Sequence, residues 1–105
     1  GTFNLPHAET HTIVLPHATR YNAQAAPEAM SRIARALGAT DAPQGLYELA
    51  KAIGAPLALK DIGMPADGLD RAADLAVTNP YWNPRPLERG AIRELLQAAW
   101  EGRRP

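Results

Sequence analysis

Apolar residues recur with a helical period along most of this chain. Met30, Ile33, Ala34 and Leu37 stand at i, i+3, i+4 and i+7, and Leu46, Leu49, Ala50 and Ile53 repeat that spacing. Pro27 and Pro43 precede these runs, and Gly38 and Gly54 follow them. Proline suits a first helical turn because its missing N–H would be unpaired there, and glycine suits the left-handed residue that closes a helix. The pattern therefore predicts helices over 28–37 and 43–53. A further helix is expected over 68–77, capped by Asp67, with Leu69, Ala72, Ala73 and Ala76 inward. The last should cover 87–100, with Ile92, Leu95, Leu96 and Ala99 on one face. Near the start, Pro6 can open a helix that runs to Leu15. Pro16 is expected to kink or interrupt it before 17–22, and Asn22 to terminate it.

Two stretches break the period. From 55 to 65, Leu57 and Leu59 alternate as in a strand, but the segment is too short and isolated to pair, so it reads as a packed connector. Residues 79–86 hold three prolines together with Tyr81 and Trp82, and read as a rigid aromatic loop. No repeat or low-complexity linker appears. The expectation is a single all-α bundle of about five helices.

Composition removes several functions. At 105 residues the chain can bury roughly two-thirds of its unfolded surface, enough for one core. Eleven acidic and eleven basic residues give zero formal charge, so nothing draws it to nucleic acid or anionic lipid. Arg103 and Arg104 form the one basic cluster and are expected to be a solvated tail. No apolar run approaches a membrane span and no secretory pattern opens the chain. Cysteine is absent, so disulfides and thiolate ligands are excluded. A cytoplasmic location is expected.

Candidate chemistry is concentrated in 4–22, which holds all three histidines, His7, His11 and His17. His7 and His11 are four apart, a spacing that stacks two imidazoles on one helical face. Such a pair could begin a metal site, yet zinc or iron needs three or four protein ligands. Glu9 points roughly 200° away around a helix, and His17 lies beyond the proline. The arrangement also differs from the His-Glu-x-x-His of zinc proteases, because the glutamate comes one place too late. Two solvated polar residues near a helix start remain the plain alternative. His17, on an apolar segment, is expected to be a satisfied structural histidine. Tyr81 and Trp82 need either a core pocket or a ligand.

The runs Leu5-Pro-His-Ala-Glu-Thr-His11 and Leu15-Pro-His-Ala-Thr-Arg-Tyr-Asn22 resemble the helical domain of iron-containing (group III) alcohol dehydrogenases. Asn83-Pro-Arg-Pro-Leu87 and Ile92-Arg-Glu-Leu-Leu96 resemble that family's closing segment, so the likeness spans the whole chain. Within the family, His-Ala-Glu-Thr-His is similar to the maleylacetate reductase branch; the dehydrogenases usually have Gly after the first His and Asn at the second.

The resemblance implies the C-terminal portion, residues 1–105, of a dehydroquinate synthase-like helical domain, with the NAD(P)-binding α/β domain absent from this chain. It implies NAD(P)H-dependent reduction of maleylacetate to 3-oxoadipate in aromatic compound degradation. His7 matches the last metal-ligand histidine of the dehydrogenases, and in the reductases is expected to bind substrate or deliver a proton. His11 falls on the reductase-specific position, and Tyr81 and Trp82 become candidate pocket lining. NAD(P)H would bind through the missing domain, leaving the isolated chain inactive and unable to bind nicotinamide. Faces meant for missing helices would be exposed, and a homodimer is one way to cover them. Two alternatives stay open: a fragment of an iron- or zinc-dependent alcohol dehydrogenase with His7 on the metal, and a non-catalytic helical interaction module.

Overall fold

The computed structural model describes residues 5–78 and 83–105, except for the side chain of His7. Five α-helices lie among them: α1 (His7–Asn22), α2 (Pro27–Leu37), α3 (Ala42–Ala52), α4 (Leu69–Thr78) and α5 (Arg89–Glu101). Short 3-10 turns cover Leu59–Ile62 and Ala66–Gly68, and no strand occurs among the described residues. The fold is all-α, as the period predicted. No helix among the described residues is long and apolar enough to cross a membrane.

α1 is the central element. It packs against α3 on one flank and α5 on the other, while α2 leans on α3 and α4 pairs with α5. The molecule is consequently a slab, 36 × 31 × 19 Å. Ile13, Leu59, Met64, Leu69 and Ala99 form one buried cluster, and Tyr21, Ala73 and Ile92 form another. Leu59 and Met64 come from the connector, which is therefore packed as expected.

Three expectations need correction. First, α1 runs through Pro16 without interruption. Pro16 cannot donate to the Thr12 carbonyl, but it is buried along with Ile13 and His17 on either side of it, so packing holds the turn. Second, Asp67 makes no capping bond; it lies within the 3-10 turn that leads directly into α4. The apolar stripes of α2 and α3 are only partly covered. α2 has no fully buried residue, and Leu49 of α3 and Ile53, the residue that caps it, are 47% and 72% exposed.

Third, the C-terminal residues are tied down. The Arg104 guanidinium stands 5.0 Å from the centre of the Tyr47 ring, donates to Gln44 Oε1 at 3.0 Å and pairs with Glu48. Gln44 Nε2 donates to the Pro105 carbonyl at 2.5 Å. Gly102 makes this return possible. Its φ is +77°, its carbonyl accepts the Tyr47 hydroxyl at 3.1 Å, and an added Cβ would stand 3.0 Å from that of Ala58.

Gly102→Ala should therefore cost roughly 1–2 kcal/mol from the left-handed backbone alone, and more from the contact with Ala58. Urea unfolding checks this: the midpoint should fall while the slope stays the same.

Candidate functional site

The N-terminus of α1 is set by Pro6, whose φ of −58° and ψ of 124° place it just outside the helix. Its carbonyl accepts the Thr10 N–H at 3.0 Å and the Thr10 hydroxyl at 2.7 Å. His7 is thus the first helical residue and His11 follows one turn later, in the register predicted. The His11 side chain is exposed and lines a groove of about 120 Å³ between α1 and α3. Thr12, Leu15 and Pro16 continue its α1 wall, and Leu46, Leu49, Ala50 and Ile53 form the other. The His7 side chain, and Tyr81 and Trp82 entirely, lie outside the described residues.

The opposite end of α1, roughly 16 Å along the axis from His11, carries a clasp that sequence reasoning missed. Asn22 and Asn83 exchange carboxamide hydrogen bonds: Asn22 Nδ2 donates to Asn83 Oδ1 at 3.1 Å, and Asn83 Nδ2 to Asn22 Oδ1 at 2.7 Å. The Arg85 N–H donates to the same Asn22 oxygen at 3.3 Å. Beside them, the Tyr21 hydroxyl donates to the Pro86 carbonyl at 2.5 Å and accepts from the Glu88 N–H at 3.2 Å. The Arg85 guanidinium lies 3.9 Å from the Tyr21 ring centre, an aromatic–cation contact. The reason is in the loop: Pro84 and Pro86 have no N–H to donate, so side chains of α1 replace a backbone ladder. The available signal was the Tyr-Asn pair ending α1 and the Asn-Pro-Arg-Pro run. Their meeting across 61 residues is invisible to local periodicity.

His17 sits on the buried stripe of α1 between Ile13 and Tyr21, at 4% exposure. It is structural in position, as expected, but it is not satisfied: its Nε2 is buried with no hydrogen-bond partner among the described residues. Burial pushes its pKa below the ordinary histidine value, and the positive charge of Arg103 adds to this. The neutral ring is the favoured form.

Metal and cofactor fit can be judged from the donors present. Among the described residues no group of three His, Cys, Asp or Glu could hold a metal ion. A helix N-terminus can receive an anionic group through its unpaired N–H donors. That of α3 is filled by the Asp41 carboxylate, which accepts from the Gln44 N–H at 3.0 Å and pairs with Arg20 at 2.7 Å; α5 begins behind Glu88.

The model of the Fe-containing alcohol dehydrogenase family, C-terminal, matches residues 1–100. A maleylacetate reductase from Burkholderia cepacia is 60% identical over all 105 residues, which cover 30% of its length. The crystal structure of a candidate alcohol dehydrogenase from Ralstonia eutropha JMP134 superimposes with a TM-score of 0.95 at 64% identity, over 100% of this chain and 30% of that one. That of maleylacetate reductase from Agrobacterium tumefaciens does so with a TM-score of 0.94 at 50% identity, with the same coverage. The chain spans about a third of the length of these relatives.

Two measurements follow from this geometry. A double-mutant cycle of Asn22→Ala and Asn83→Ala should give a coupling of ~0.5–3 kcal/mol in unfolding free energy, the range for groups in one network. For His17 the folded pKa is depressed, so the unfolded chain binds the proton more readily. Stability should be full above the unfolded value of 6.5 and fall as pH drops through it toward the folded value. Urea titrations between pH 8 and about 5 should show this slope, and His17→Asn should flatten it.

Proposed function

Because the chain belongs to the Fe-containing alcohol dehydrogenase family, to its C-terminal part, we propose that it is the C-terminal helical portion of a maleylacetate reductase. The enzyme would reduce the carbon–carbon double bond of maleylacetate, giving 3-oxoadipate, with NAD(P)H as reductant. The observation that carries this reading is His7 and His11 on consecutive turns of α1, in a chain 60% identical to a protein of that name.

In this reading the nicotinamide cofactor is bound by the remainder of the enzyme. What this chain would contribute is charge and a proton. As the conjugated double bond is reduced, negative charge builds on the carbonyl oxygen and one alkene carbon must be protonated. A donor or positive group beside the substrate lowers that barrier. Imidazole serves both tasks because its charge changes near neutral pH. His7 is the first candidate for this role and His11 the second. Tyr81 and Trp82 are proposed as substrate-pocket lining. The partners are thus a small dicarboxylate substrate and the rest of the polypeptide, and a cytoplasmic location suits a soluble substrate.

The likeness to the candidate alcohol dehydrogenase of Ralstonia eutropha supports a second reading, a metal-dependent dehydrogenase with His7 as one ligand. Both can be tested in a chimera in which these 105 residues replace the matching segment of the Burkholderia cepacia enzyme. Under the first reading, His7→Ala lowers kcat for maleylacetate at least ~100-fold, His11→Ala lowers it less, and metal analysis is the same with and without His7. An undiminished kcat removes His7 from the mechanism. Stoichiometric iron or zinc that is lost with His7→Ala selects the dehydrogenase.

A further inference from the structure

The stripe that α3 carries is wider than the surface α1 covers. Ala50 is buried and Leu46 half-buried, but Leu49 and Ile53, one turn further out, are 47% and 72% exposed. Leu15 of α1, at 39%, faces the same groove. Three large aliphatic side chains therefore border one shallow channel, with His11 at its α1 wall. Scattered single apolar residues are ordinary on a protein surface, whereas a contiguous row marks contact. The i, i+3, i+4, i+7 spacing is that of a helix with one apolar stripe turned toward a core, and the fold described here covers only part of that stripe.

What covers the rest is indicated by size. The whole chain aligns with its relatives yet accounts for 30% of their length, and its slab is 19 Å thick, room for about two helix layers at the usual 8–10 Å spacing. We propose that the α1–α3 groove is the seat of an apolar segment, helical in character, from the portion of the enzyme that these 105 residues do not include. Leu15, Leu49 and Ile53 are the exposed parts of its two walls that this segment covers, and the contact fixes α1, and so the His7–His11 turn, against the remainder of the protein. The inference rests on family membership and the exposed stripe, not on the reductase chemistry.

Thiol labelling tests it independently of activity. This chain has no cysteine of its own. In a chimera with the Burkholderia cepacia enzyme whose other cysteines are replaced, a single Ile53→Cys or Leu49→Cys reports on the groove. Each thiol should react with a maleimide at least roughly tenfold more slowly in the native chimera than in urea, as expected for a site that opens only locally. In the 105-residue chain alone, native and urea rates should differ little. Free reaction at both positions in the native chimera overturns the proposal. So does protection in the isolated chain that grows with concentration, which would make a second copy the occupant. Loss of catalysis with protection intact would strike the reductase reading and leave this contact standing.

Discussion

Burial of α1 on two flanks is the constraint on which the rest of this structure depends. A 16-residue helix with an internal proline would be marginal alone. Here Ile13, Pro16, His17 and Tyr21 are all buried, and the helix stays continuous because α3 and α5 close over it. Since α1 begins at His7 and ends at Asn22, that burial also determines where the candidate histidines and the clasp stand. Hydrophobic burial of one helix thus positions chemistry at one end and a loop at the other.

The two ends are built differently. At the N-terminus the backbone does the work, with Pro6 outside the helix and its carbonyl receiving the first bonds. At the C-terminus side chains take over. The loop that meets it contains Pro84 and Pro86, and the carboxamides of Asn22 and Asn83 substitute for missing donors. A paired carboxamide satisfies both its donor and its acceptor at one place, which suits a half-buried junction where an unmet polar group would be costly. His17, between these ends, is the one described side chain with a buried nitrogen left unpaired. It is tolerated because the neutral imidazole loses far less on burial than a charged one would.

The surface charges have a lesser role. Arg89 pairs with Asp70 and Asp74, and Arg93 with Asp70, all across the exposed side of the α4–α5 hairpin. Such pairs contribute little individually because water screens them. The return of residues 102–105 onto α3 is more consequential. It replaces a solvated tail with contacts from Tyr47, Gln44 and Glu48, and brings the charge of Arg103 close enough to disfavour a proton on His17.

By itself the sequence determined the helical class, the extents of α2 and α3 and the one-turn spacing of His7 and His11, because period, proline starts and glycine stops act within a few residues. The inward faces of α4 and α5 were legible for the same reason, Leu69, Ala73, Ile92 and Ala99 all being buried. Only the tertiary structure decided that α1 passes through Pro16, since whether a missing hydrogen bond is tolerable depends on what packs around it. It alone joined Asn22 to Asn83 and turned Gly102 back toward α3, contacts between residues more than fifty apart. It also revealed that α3 is covered on part of its stripe. Periodicity says which residues can be buried together; the neighbours available in space say which of them are.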